Sequence, residues 1–104
     1  MEPFRLESGH QPGAFRLVGE LDVATVNTAQ SELEDELGKT ATLTLDATGL
    51  TFMDAQGLRM LIHLGEEAMK QGGTIRLQGC SHQVRRLLDF AVPQGIPGVQ
   101  VVEE

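Results

Sequence analysis

Two apolar periods take turns along this chain, and their alternation limits the folds open to it more than any other feature. In Ala41–Ala47 the residues alternate, with Leu43 and Leu45 on one side and Thr42, Thr44 and Asp46 on the other, as in a strand that buries one face. Thr74–Gly79 repeats the pattern, Ile75 and Leu77 standing opposite Thr74, Arg76 and Gln78. Phe15–Val18 and Val99–Val102 are shorter strand candidates, and Phe4–Leu6 can add an edge strand. Between these runs the apolar residues recur every three or four positions. Val23, Val26, Ala29, Leu33 and Leu37 predict a first helix, opened by Asp22 as its cap and stopped by Gly38. Asp54 is a favoured cap for a second helix, which runs through Leu58, Met60, Leu61, Ile62, Leu64, Ala68 and Met69 until Gly72 and Gly73 end it. Its first turns are apolar almost all round, which predicts a central place with burial on several sides. A third helix has Ser81 as cap, Val84, Leu87, Leu88 and Ala91 as its stripe, and Pro93 as terminator.

The order strand, strand, helix, strand, helix, strand, helix, strand predicts an α/β fold: a small mixed, mainly parallel sheet with crossover helices. The strands alternate instead of running continuously apolar, so the helices are expected on one face only. With 104 residues, 40% of them hydrophobic, the chain is expected to form one domain over residues 1–104.

Charge and composition narrow the partners. The net charge is −7 and the eight basic residues are scattered, which argues against gripping a phosphate backbone and so against nucleic acid. An acidic surface suits a partner with a basic patch. Cys80 is the only cysteine, so no intrachain disulfide is expected. Met1–His10 lacks the sections of a signal peptide, and no apolar run approaches about 18 residues. A cytoplasmic protein without membrane insertion is the expectation.

No catalytic, metal or cofactor site emerges. His10, His63 and His82 lack the spacing of a zinc motif, and His63, among apolar residues of the second helix, is expected to be partly buried and hydrogen-bonded. Cys80 has His82 near it but no orienting group, so it reads as a small buried hydrophobe. The glycines form no phosphate-cradling loop. A hydrolase built on Asp46 and Asp54 would need a nucleophile, a base and an oxyanion set, and none is visible. Asp46 is expected to satisfy nearby loop amides. Arg59, Arg85 and Arg86 are the cations best placed to meet an acidic partner, and Glu32–Glu36 reads as a solvated face.

The stretch Leu43–Gly79 reads LTLDATGLTFMDAQGLRMLIHLGEEAMKQGGTIRLQG, and Gly19–Val23 before it reads GELDV. Together they resemble the STAS family, the domain of bacterial anti-sigma factor antagonists. The family shows an apolar strand ending in Asp, a short loop, then Phe-apolar-Asp-Ser-Ser-Gly-Leu opening a helix. Asp46, Gly49, Phe52, Met53, Asp54, Gly57 and Leu58 match that pattern. The resemblance implies a STAS-like fold and a module that docks on an anti-sigma factor, a GHKL-type serine kinase, and so frees a sigma factor. It also implies that phosphorylation of the second serine of Asp-Ser-Ser-Gly breaks the complex. Here the motif is Asp54-Ala55-Gln56-Gly57, so Gln56 stands at the phosphorylated position and Ala55 at the serine before it. The partner-binding surface implied is Asp22, Thr51, Asp54, Ala55, Gln56, Gly57 and Arg59.

The physics of that switch is simple. A phosphate at a helix N-terminus is favoured by free amides and by the helix dipole, and its added charge of roughly −1.5 to −2 would repel an acidic or desolvated partner surface. Gln56 is neutral and cannot accept a phosphate, which implies a constitutive binder. Thr48 and Thr51, expected in the loop before the helix, are the remaining hydroxyls open to phosphorylation, although such threonines commonly serve local hydrogen bonds. Gly57–Gly79 also resembles the STAS subunit of ABC-type phospholipid transporters, at Leu61, Ile62, His63 and Leu64, Lys70-Gln71-Gly72 and Leu77-Gln78-Gly79. That resemblance implies an ABC transporter ATPase subunit as the partner. The oligomeric state is left open.

Overall fold

In the computed structural model, which describes residues 3–102, the segments of period two form strands and those of period 3.6 form helices. They follow in the order β1 (Arg5–Ser8), β2 (Ala14–Leu21), α1 (Val26–Lys39), β3 (Leu43–Met53), α2 (Ala55–Lys70), β4 (Ile75–Gln78), α3 (His82–Ala91) and β5 (Val99–Val102). Met1 and Glu2, the start of the stretch read as lacking a leader, lie outside the described residues.

The strands form one sheet in the order β1-β2-β3-β4-β5. The β1–β2 pairing is antiparallel and the other three are parallel. Spatial order therefore equals chain order. Parallel crossovers are right-handed, so α1, α2 and α3, each stepping the same way across the sheet, fall on the same face. Burial agrees: Leu17, Leu43, Leu45, Ile75 and Leu77 from the strands join Leu33, Leu61, Leu64, Val84 and Leu88 from the helices in one apolar cluster. Each such side chain removed from water contributes about 1.5–3 kcal/mol. On the opposite face Arg16, Thr44, Asp46, Arg76 and Gln78 stay half-exposed.

Helix α2 takes the central place expected of it. It buries Leu58, Met60, Leu61, Leu64 and Ala68 and packs on α1, β3, β4 and β5. Gly65 lets the chain before β5 come close, since a Cβ there would collide with the Pro97 carbonyl oxygen.

Several sequence expectations fail. Helix α1 starts at Val26 with Thr25 at its cap, so Asp22 does not cap it and Val23, 73% exposed, does not join its buried stripe. Gly38 does not stop it either; the helix continues to Lys39 and ends where Thr40 turns extended (φ −147°, ψ 135°) towards β3. The expected loop around Thr48 and Thr51 is the second half of β3. Its pairing with β2 slips between Arg16 and Val18 and again between Gly19 and Glu20, each slip giving β3 one extra residue, as a bulge does. The buried positions then run Ala47, Leu50, Met53, a spacing of three that hides a strand from a search for period two.

Candidate functional site

The carboxyl ends of β2 and β3 lie side by side, with Leu21 paired to Met53, and both chains turn there into helices. Asp54 is extended (φ −108°, ψ −170°), so its side chain folds back over the first turn of α2. Its Oδ1 accepts hydrogen bonds from the Gln56 and Gly57 amides at 2.9 and 3.2 Å. Two of the amides that a helix start leaves unpaired are thereby satisfied. The Asp54 amide donates to the Leu21 carbonyl at 3.2 Å, fixing the helix start to the end of β2. Gly57 completes the anchorage. It is buried, and a Cβ on it would lie 2.6 Å from Met53 Cγ and 2.9 Å from the Leu21 carbonyl oxygen, so only glycine allows this approach.

Asp22 organises the neighbouring turn. Its Oδ1 accepts from the Ala24 and Thr25 amides at 2.9 and 3.2 Å and from the Thr25 hydroxyl at 3.2 Å. The single proton of that hydroxyl is shared with the Glu20 carbonyl, the nearer acceptor at 2.7 Å. The arrangement is an Asx-type turn ahead of α1.

Of the residues singled out in the sequence, Asp22, Asp54, Ala55, Gln56 and Gly57 meet at these two strand ends. Ala55 is exposed, Gln56 half-buried, and Arg59 exposed in the following turn. Thr51 lies within β3, and its hydroxyl donates to the Gly19 carbonyl at 3.1 Å. Thr48 is exposed on the same strand, and its amide donates to Asp46 Oδ1 at 2.9 Å, the local role expected of Asp46.

Sequence reasoning missed the apolar character of this edge. Val23 is 73% and Phe52 45% exposed, with Ala24 and Ala55 also open to solvent. Phe52 and Met53 line a recess of about 200 Å³ with Gln83 and Val84 of α3. Ser81 Oγ accepts from the Val84 amide at 3.2 Å and pins the start of α3 there. Phe52 lies in the motif, but nothing local in the sequence tells an exposed aromatic from a buried one.

Elsewhere the chemistry is structural. Cys80 packs against the core, and burial raises its thiol pKa, which suppresses the reactive thiolate. His63 Nε2 sits 2.7 Å from Glu34 Oε2 and links α2 to α1. A hollow of about 480 Å³ on the open face of the sheet is bordered by Glu7, His10, Arg16, Asp46 and Gln78. Its arginine is already paired, with Arg16 Nη1 3.3 Å from Glu7 Oε1. Among the described residues no three of the histidines, cysteines and carboxylates gather as metal ligands, and no helix is long and apolar enough to cross a membrane.

A model of the STAS domain matches residues 5–92. The chain belongs to the STAS domain family. Solved structures agree on the fold. An anti-sigma factor antagonist from Mycobacterium paratuberculosis is similar at 17% identity, with 93% of this chain and 83% of that one covered and a TM-score of 0.73. The Bacillus cell fate determinant SpoIIAA in its phosphorylated form is similar at 22% identity, covering 97% and 92%, with a TM-score of 0.68. The murine anion transporter Slc26a9 contains a similar unit at 20% identity, covering 88% of this chain and 17% of the transporter, with a TM-score of 0.61. A search of curated proteins by sequence finds no match. In this STAS domain the family's motif thus occupies the point where β3 hands over to α2, its aspartate capping the helix and its glycine wedged against β2.

Proposed function

We propose that this STAS domain acts as an anti-sigma factor antagonist. It docks on an anti-sigma factor that is also a GHKL-type serine kinase, frees a sigma factor by competitive binding, and is not phosphorylated at the usual site. The observation that carries this is the start of α2. The Asp54 carboxylate holds the Gln56 and Gly57 amides, so the backbone of the motif is rigid, while Ala55 and the Gln56 side chain are presented without charge. The resemblance puts Gln56 at the phosphorylated position. A phosphate there would add roughly −1.5 to −2 charges beside Asp54 and Asp22; a glutamine adds no charge and offers both a donor and an acceptor to a partner.

Affinity capture from native lysate, with the intact mass of the bait recorded, tests this. A small kinase of the ATPase fold among the bound proteins and an unmodified bait are the expected results; a clean lane contradicts docking. With that kinase and ATP, Gln56→Ser is expected to take up phosphate, whereas the natural chain is not.

A second reading draws support from the recurrence of the fold within an anion transporter and from the resemblance over Gly57–Gly79. In it the domain docks on the ATPase subunit of an ABC-type phospholipid transporter. Capture of such a subunit in the same experiment selects this reading over the first.

A further inference from the structure

The start of α2 occupies only part of the edge on which the strands end. At the carboxyl end of β3, Phe52 keeps 45% of its surface exposed although Met53 beside it is buried. Its ring forms one wall of the recess closed on the far side by Gln83 and Val84 in the first turn of α3. Val23 lies open at the same end of the sheet, whereas Met69 and Phe90, the other large apolar side chains left exposed among the described residues, lie near the far ends of α2 and α3. Exposed aromatic residues beside a pocket are the usual anchors of protein contacts. On the β2 side of the recess, away from Arg85 and Arg86 of α3, the strand ends carry carboxylates. Glu20 pairs in register with Phe52, Asp22 follows the end of β2, and Asp54 follows the end of β3.

From this juxtaposition we infer that the docking surface reaches across the edge to α3, and that it takes a partner segment presenting one bulky apolar side chain with a lysine or arginine beside it. The apolar side chain fills the recess between Phe52 and Gln83, and the cation meets Glu20, Asp22 and Asp54. The inference rests on the docking function proposed above and adds the chemistry of the partner. The carboxylates steer the approach and select the sign of the partner's charge. The recess supplies a desolvated anchor that the first turn of α2, with Ala55 and Gln56, does not offer.

Selection of a displayed random peptide library on the purified protein tests it, followed by binding of one enriched synthetic peptide to three variants. Phe52→Ser removes the ring; Gln83→Tyr fills the recess from an exposed position on α3 and leaves the core intact; Ala55→Arg blocks the start of α2 alone. Circular dichroism checks that each variant folds. The expected result is a consensus of a bulky apolar residue next to lysine or arginine, with affinity falling about tenfold or more in both Phe52→Ser and Gln83→Tyr. An acidic or wholly polar consensus overturns the inference. Peptides unaffected by those two variants but lost with Ala55→Arg also overturn it, while leaving docking at α2 intact. Absence of enrichment, or peptides indifferent to all three variants, overturns the inference and the docking function together.

Discussion

Helices α1 and α2 start at the ends of adjacent parallel strands, each close behind an aspartate, yet the two starts are built differently. At α2 the aspartate is the cap itself, bonded to two amides of the first turn, and Gly57 seats that turn against Leu21 and Met53. At α1 the aspartate lies three residues before the cap, Thr25, which makes no side-chain bond to the helix, and the turn between them leaves Val23 exposed. The α2 start is fixed by the core. The α1 start is held by the hydrogen bonds of the Asp22 turn and by Val26, which packs against the edge of the core, while Val23 in the turn stays exposed.

Substitutions can break or sharpen this contrast. The largest effect is expected from Gly57→Ala, whose Cβ meets Met53 and the Leu21 carbonyl; it should cost about 1–3 kcal/mol in urea denaturation. Asp54→Ala should cost about 1 kcal/mol through loss of the cap, measured in the same way. Gly38→Ala, at the far end of α1 where a Cβ would meet nothing within 4 Å, should stabilise by about 0.4–1 kcal/mol and raise the melting temperature. Asp22→Ala should cost about 0.5 kcal/mol, because its bonds hold an exposed turn where water can replace them. The smallest effect on stability belongs to Val23→Ser, within about 0.5 kcal/mol, while its binding to a captured partner should weaken. A loss of several kcal/mol for Val23→Ser would mean that Val23 belongs to the core after all.

The parts of the fold legible in the sequence are those where local signals and tertiary packing agree. Helix α2 shows its Asp54 cap, its buried run and its glycine stop; Gly72 has φ +76°, and its amide and that of Gly73 donate to the Met69 and Ala68 carbonyls at 3.0 and 2.8 Å. Helix α3 shows Ser81 and the Val84–Leu88 stripe, and β4 a clean alternation. The hidden parts are those where packing overrides a local period. The two slips in β3 replace alternation by a spacing of three, so a strand read as a loop. Apolar type and period state what favours burial and not whether a neighbour is there to cover it. Val23, Met69 and Ala91, which the helical period places among the apolar residues of their helices, are exposed, and so are Phe52 and Phe90. At the candidate site the motif from Asp54 to Gly57 was readable, because a cap and a close-approach glycine have fixed sequence forms. The apolar edge beside it was not, since exposure is decided by residues far away in the chain.

The most direct measurement is an amide chemical-shift titration of the isotope-labelled protein with the partner recovered by affinity capture. The account predicts the largest shifts at Asp22–Thr25, at Phe52 and through Asp54–Arg59, with little change on the open face of the sheet. Shifts concentrated instead at Arg16, Thr44, Asp46 and Gln78, with the start of α2 unmoved, would contradict it.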